Sequence, residues 1–105
     1  MSFLSVSFET EKRSFAEPLN TAVLTTKFVV RDNHDITFVS HDSDDGAWQF
    51  HSNDQIDNFE DVAMVVSLKE IIAIDSSVLE IAELPLGFEA TRKDRKSKWE
   101  ISKSE

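Results

Sequence analysis

The chain has 105 residues, of which 40% are apolar, and its 20 acidic and 11 basic side chains give a net charge of −9. This length suits one domain with one core, and two Gly and two Pro argue against a low-complexity chain. The absence of cysteine excludes disulfides, a thiolate nucleophile and Cys-ligated zinc. Because the start lacks a signal-peptide pattern and no apolar run approaches the roughly 20 residues of a membrane helix, we expect a soluble cytoplasmic protein.

The acidic side chains are unevenly distributed along the chain. Residues 32–83 hold thirteen of them and a single basic residue, Lys69, whereas basic residues predominate in 92–103. A surface rich in carboxylates repels nucleic acid and anionic membranes, and it steers a basic protein toward itself. We therefore expect a protein partner and no contact with nucleic acid or membrane.

Residues 1–20 are predicted to be an N-terminal strand or arm followed by a loop. Residues 2–8 alternate apolar side chains at period two, which is typical of a short edge strand, although a disordered arm is an equal alternative. Residues 9–20 are rich in charge and contain a proline, so they indicate a loop from which Phe15 packs onto the body. Residues 21–103 are predicted to form a single α+β domain.

Two hairpins are predicted at the start of this domain. Residues 21–31 favour one long strand, and the turn Asp32-Asn33-His34 joins it to residues 35–41. The second hairpin spans residues 36–51, with Phe38 opposite Trp48, Ile36 opposite Phe50 and a short loop at Asp42-Ser43-Asp44. That register puts His41 and His51 on one face, opposite the face that carries the aromatic residues.

A buried strand and two short helices are expected next. The apolar run in residues 61–68 is typical of a central strand covered on both faces. The pairs Ser67/Glu70 and Ser77/Glu80 have the spacing of capping boxes, which predicts helices over about 68–74 and 78–84.

A final hairpin closes the predicted fold. A loop at residues 93–96 would oppose Phe88 to Ile101 and Ala90 to Trp99. The predicted fold class is thus α+β, with a mainly antiparallel sheet of five to six strands built from hairpins and the two helices packed on one face. Trp48, Phe50 and Trp99 are assigned to the core because they share parity with apolar residues.

The acidic hairpin tip is the main candidate site. Its segment Asp42-Ser43-Asp44-Asp45-Gly46 does not match an EF-hand, which needs Gly at position 6 and Glu at position 12, so we predict no metal and no cofactor. Instead, carboxylates of the tip and of the loop that follows are predicted to contact a basic partner: Asp42, Asp44, Asp45, Asp54 and Asp57.

Evidence for an enzyme is weaker. His41 and His51, with nearby carboxylates, form an alternative polar site for a small hydrolase or metal-dependent enzyme. However, no serine lies in a nucleophile elbow, and two glycines cannot build a phosphate-binding loop, so no catalytic residue is assigned. A third alternative is a homodimeric structural protein formed by pairing of sheet edges.

Two stretches of the chain resemble a known family. DDGAWQF in the hairpin and the later LPLGFEATRKDRKSKWEI are similar to the pattern of small bacterial domains of unknown function that are grouped with immunity proteins of polymorphic toxin systems. The resemblance covers about residues 22–101 and implies a compact α+β domain that binds and neutralises a toxin-like protein. It carries no catalytic residues. The matching positions are Trp48, Phe50, Leu84, Pro85, Gly87, Ala90, Arg92 and Trp99.

Overall fold

A computed structural model describes residues 14–104, and six strands in it form one sheet. The strands are β1 (Ala22–Thr26), β2 (Phe38–His41), β3 (Trp48–His51), β4 (Ala63–Ser67), β5 (Phe88–Thr91) and β6 (Glu100–Lys103). Their order across the sheet is β4-β1-β3-β2-β5-β6, and all neighbouring strands are antiparallel except β1 and β3. The predicted fold class is confirmed, while the strand predicted at residues 2–8 lies outside the described residues.

The helical segments are short. They are α1 (Lys27–Val30), α2 (Phe59–Val62), α3 (Leu68–Ile74) and a 3₁₀ helix (Ser76–Ile81). The prediction for α3 is confirmed to the residue, and Ser67 caps it by accepting a hydrogen bond from the Glu70 N–H at 3.1 Å. The second helix begins two residues earlier than predicted, because Asp75 rather than Ser77 is its N-cap and accepts from the Ser77 N–H at 3.0 Å.

The core lies between one face of the sheet and these helices. Its fully buried members from the sheet include Val39, Phe50 and Ala90, and α3 with the 3₁₀ helix adds apolar side chains from the other side. Phe15 packs edge-on against Trp48 with ring centroids 4.9 Å apart, which confirms that the loop before β1 closes onto the body. Trp48 is 2% exposed and Trp99 packs partly buried against the core, as predicted.

The first predicted hairpin is wrong. β1 ends at Thr26 and pairs with β3 and β4, and it makes no ladder with β2. Residues 27–30 form the helical turn α1 instead of continuing the strand, because this turn brings Val29 into the core, where it is 0% exposed. Packing has therefore overridden the strand preference of the Val pair at 29 and 30. Asn33 has the left-handed backbone expected at this interruption, with a φ of +57°, but it follows the helical turn α1 and does not join two paired strands.

The central hairpin forms, but with another register. Phe38 pairs with His51 and not with Trp48, and Val39 rather than Ile36 lies opposite Phe50. The loop is longer than predicted, since Asp42 closes it by bonding to the Ala47 carbonyl, and Gly46 has a φ of +75°. The register moves by an odd number of residues, so every β2 side chain changes face relative to β3. His41 and His51 consequently lie on opposite faces, which corrects the shared face predicted for them.

The two edge strands also differ from expectation. β4 is an edge strand paired only with β1 among the described residues, not the central strand, and Val65 in it is 64% exposed. In the last hairpin Phe88 opposes Lys103 and Ala90 opposes Ile101, a shift of two residues from the prediction. Trp99 therefore precedes the β5–β6 ladder instead of belonging to it. Its ring stacks on Arg92, with the guanidinium carbon 3.9 Å from the ring centroid.

The ladders give the sheet two chemically different ends. The acidic end holds the β2–β3 loop, residue Leu86 before β5 and Lys103 at the close of β6. The Arg92 end holds the loop after β3 and the segment 92–99 between β5 and β6. The four residues of β3 separate these ends by roughly 10 Å, given a rise of about 3.3 Å per residue.

Candidate functional site

The acidic end carries a cleft beside the β2–β3 loop. The cleft has a volume of about 440 Å³ and is lined by Asp42, Ser43, Asp44, Asp45, Leu86, Gly87, Lys103 and Ser104. Gly87 fixes one wall: its N–H donates to the His41 carbonyl at 2.7 Å, and its φ is +81°. A Cβ at this position would lie 3.6 Å from the Ser43 Cβ, an ordinary van der Waals contact, so it is the positive φ and not the space that favours glycine here.

Asp44 and Asp45 are the exposed carboxylates of this cleft. Asp45 Oδ1 accepts a hydrogen bond from the Ala47 N–H at 3.0 Å, which fixes the turn and leaves the other oxygen outside that bond. Asp44 has no hydrogen bond or ion pair with any of residues 14–104. Lys103 lies in the cleft wall but forms no ion pair within that same range. The tip therefore presents negative charge that the described chain does not neutralise.

Leu86 is the apolar member of the cleft, and the sequence analysis did not identify it. Its side chain is 56% exposed, whereas Leu84 two residues earlier is buried in the core. The signal in the sequence was the LPLG run, because a leucine between a proline and a glycine belongs to a turn, and turns lie at the surface. An exposed leucine beside carboxylates resembles the apolar centre and polar rim of a protein interface.

Asp42 differs from the other tip carboxylates because both of its oxygens are bound. Oδ1 accepts from Ser40 Oγ at 3.0 Å, and Oδ2 accepts from Gln49 Nε2 at 2.7 Å. The Gln49 Oε1 then faces His51 Nε2 at 2.9 Å, so His51 carries its proton on Nε2 and donates it. Burial lowers the pKa of His51 below its ordinary 6.5, and the charge of Asp42 opposes that shift.

Asp54 and Asp57 lie at the Arg92 end, so the structure separates the five predicted contact residues into two groups. Asp54 Oδ2 accepts from Ser52 Oγ and, at 2.7 Å, from His34 Nδ1. These bonds, the one from Ser52 first, lower the pKa of Asp54, and the bond to Asp54 raises the pKa of His34. Asp57 is exposed. His34 was not identified from the sequence as a partner of Asp54.

The two histidines of the alternative polar site do not meet. His41 lies on the core face, where it stacks on Trp48 at 4.0 Å and donates from Nδ1 to the Leu84 carbonyl at 2.7 Å. His51 lies on the other face within the Asp42 chain of hydrogen bonds. Each ring is thus used in packing or internal bonding, and the pair builds no shared acid–base or metal site.

The Arg92 end contains a buried ion pair. Arg92 and Asp75 have side chains that are 1% and 4% exposed, and Arg92 Nη2 donates to Asp75 Oδ2 at 2.9 Å. Arg92 also donates from Nε to the Ile36 carbonyl at 2.9 Å and from Nη1 to Ser77 Oγ at 2.9 Å. Arg95 adds a second cation, with Nε 3.2 Å from Asp75 Oδ2. Arg92 and Asp75 are satisfied inside the fold and link β5, the 3₁₀ helix and the residues before β2, whereas Arg95 Nε and Nη2 are buried without a hydrogen-bond partner among residues 14–104.

No group of three or more His, Asp or Glu side chains suited to hold a metal ion occurs among residues 14–104. Within the same residues no helix is long and apolar enough to cross a membrane. No family model, curated protein or solved structure matches the chain.

Proposed function

We propose that this protein is a non-enzymatic protein-binding module that presents its acidic end to a basic partner protein. In this proposal it acts as an immunity protein does, as the family resemblance implies, and the partner is toxin-like. The observation that carries the proposal is the pair of exposed carboxylates, Asp44 and Asp45, beside the exposed Leu86 in one cleft.

The chemistry of the cleft fits a basic partner with an apolar contact residue. Carboxylates without internal counter-ions raise the association rate of a cationic surface, because they attract it over the Debye length of about 8–10 Å at ordinary salt. Burial of Leu86 by the partner would then slow dissociation, since removal of apolar surface from water stabilises the complex and such differences appear mostly in the dissociation rate. Asp42 acts differently: it holds the loop in shape through Ser40 and Gln49.

Asp54 and Asp57 form a second contact in this proposal. They lie at the far end of β3, so one partner reaches both groups only if it covers the length of that strand. His34 offsets part of the charge of Asp54, which leaves Asp57 as the stronger attractant of the two. The tip is therefore expected to contribute more to the association rate than this second group.

The test is capture followed by kinetics. Tagged full-length protein is used to capture partners from source cells, and each captured protein is purified and its binding measured by surface plasmon resonance. Changing Asp44 and Asp45 together to Asn should lower the association rate about tenfold at low salt and much less at high salt. Asn is chosen because it keeps the side-chain oxygen that accepts from the Ala47 N–H.

A matched variant controls for net charge. Asp32 and Asp61 are both exposed and belong to neither of the two proposed contact groups, so changing both to Asn removes the same two charges away from the proposed contacts. Its association rate should fall less than that of the tip variant. The proposal fails if no captured protein distinguishes the two variants, or if all binding is unchanged when Leu86 becomes Ser in the tip variant.

A further inference from the structure

The outer side of β4 is not paired with any strand formed by residues 14–104. The Leu68 N–H donates to the Thr21 carbonyl at 2.9 Å, which marks residue 68 as a position facing β1. Because hydrogen-bonding direction alternates along an antiparallel strand, Met64 and Val66 also face β1, whereas Ala63, Val65 and Ser67 direct their backbone groups away from the sheet. At the centre of this row is Val65, whose side chain is 64% exposed.

The β4 edge lacks the features that normally prevent edge pairing. Its sequence, AMVVS, has no charge, proline or glycine, and Val65 in it is one of four large apolar side chains that are exposed among residues 14–104. The opposite edge, β6, is framed by Glu100 and Lys103. Natural sheets place charges on edges to block pairing with another chain, so the contrast identifies β4 as the edge open to a partner strand.

We propose that β4 pairs antiparallel with β4 of a second copy, about a two-fold axis at Val65. The strand is self-complementary in this register: Val65 meets Val65, Met64 meets Val66, and small Ala63 meets small Ser67. The Val65 N–H and carbonyl of each copy then bond to those of the other. The Ser67 N–H and the Ala63 carbonyl add a second pair of bonds, while the Ala63 N–H stays bound within α2 to the Phe59 carbonyl.

The charges flanking the strand favour this orientation. Glu60 and Asp61 precede β4, and Lys69 with Glu70 follows it. Antiparallel pairing sets the doubly negative flank of one copy beside the neutral flank of the other. Parallel pairing would set the two negative flanks together, which is repulsive. The β4 strand of a second copy therefore complements this edge both in the side chains that meet across the axis and in the charges that flank the strand.

The dimer is expected to be weak and to respond to salt. Five residues per copy form a much smaller contact than the roughly 800 Å² per partner of a standard stable interface, so dissociation constants in the micromolar range or above follow. Each copy carries a net charge of −9, so added salt should strengthen the dimer by screening repulsion. Binding of the acidic end to a basic protein should respond to salt in the opposite direction.

The test is sedimentation velocity of the full chain over a hundredfold range of concentration. The native protein should show a reversible monomer–dimer equilibrium, and Val65→Lys should raise its dissociation constant at least tenfold because two ammonium groups would face each other across the axis. Mixing Val65→Lys with Val65→Glu should restore a dimer of one copy each. Circular dichroism of each variant checks that the monomer remains folded.

Ile101→Lys provides the matched control, since Ile101 is 55% exposed on the opposite edge strand. It should leave the dimer unchanged. A chain that stays monomeric throughout the concentration range overturns the proposal, as does a dimer that Ile101→Lys weakens more than Val65→Lys. Dimers that appear only after deletion of residues 1–13 would also overturn it, because they would show that the chain's own first residues occupy the edge.

Discussion

The two ends of the sheet use the same residue types for opposite purposes. At the Arg92 end a carboxylate and a guanidinium are both almost fully buried and bonded to each other and to neighbouring backbone. At the acidic end Asp44 and Asp45 are exposed, and Lys103 lies in the same cleft without pairing to them within the described chain. A buried charge must be satisfied internally or the fold is lost, whereas an exposed charge can be left for a partner.

This difference predicts which changes affect stability and which affect binding. The buried charges at the Arg92 end, Arg92 and Asp75, should be costly to remove and unimportant for encounter with a partner. Charges at the acidic end should show the reverse. Asp42 should fall between them, because it belongs to the acidic tip in sequence but is bonded on both oxygens.

The largest effect is expected from Arg92→Ala. Removal of the guanidinium leaves the buried Asp75 carboxylate without its main partner, and it also removes the group that stacks on the Trp99 ring. The free energy of unfolding should therefore fall by about 3–5 kcal/mol. Urea denaturation followed by fluorescence measures the change. Lys93→Ala, at the exposed neighbouring position, should alter stability by less than about 0.5 kcal/mol. Equal effects of the two substitutions would contradict the structural role given to Arg92.

An intermediate effect is expected from Asp42→Ala. The change removes the acceptor for Ser40 Oγ and Gln49 Nε2 and frees the Gln49–His51 pair, at a cost of about 1–2 kcal/mol for charge-assisted bonds that are partly exposed. The same denaturation experiment measures it. If Asp42→Ala leaves stability unchanged but abolishes partner binding, then Asp42 is a contact residue and its assignment to the loop's shape is wrong.

Local signals in the sequence predicted the elements well, whereas signals that depend on pairing did not. Ser67 with Glu70 located α3 because a cap is decided by residues within one turn. The register of the central hairpin could not be read from parity, since it depended on whether Asp42 lies inside the loop or closes it. The position of β4 in the sheet was predicted wrongly, because an apolar run can belong to a central strand or to an exposed edge strand.

The candidate site was predicted in composition but not in arrangement. The tip carboxylates were identified from their clustering, yet the separation of Asp54 and Asp57 from them follows only from the ladder of β2 with β3. Leu86 was missed because its exposure depends on the path that Gly87 allows beside Ser43. Arg92 was predicted as part of the basic segment 92–103 and of the family resemblance, but its burial against Asp75 depends on a contact between residues 17 positions apart.

A smaller effect is expected when Asp44 and Asp45 become Asn. Neither carboxylate has a counter-ion among residues 14–104, and Asn preserves the acceptor for the Ala47 N–H, so unfolding free energy should change by less than about 0.5 kcal/mol. Unchanged stability together with lost partner binding would show that the acidic end serves binding, whereas the buried charges of the Arg92 end serve stability. A decrease of several kcal/mol in the free energy of unfolding would instead show that the tip carboxylates stabilise the fold.

The smallest effect concerns pH and the two histidines whose pKa values shift in opposite directions. The bond to Asp54 raises the pKa of His34, so its contribution to stability is fully present below the unfolded value near 6.5 and is lost as pH rises through the folded pKa. Burial lowers the pKa of His51, so folding is penalised as pH falls from about 6.5 toward the folded pKa. The stability gained through His34 as pH falls to about 6.5 is therefore partly offset by the stability lost through His51 as pH falls below that value. NMR titration should show the His34 pKa above 6.5 and that of His51 below it, and Asp54→Asn should lower the His34 pKa while leaving the His51 pKa unchanged.

With the His34 contribution removed, the Asp54→Asn variant should lose more stability on acidification than the native protein does. An unchanged His34 pKa in Asp54→Asn would show that the 2.7 Å contact does not persist in solution.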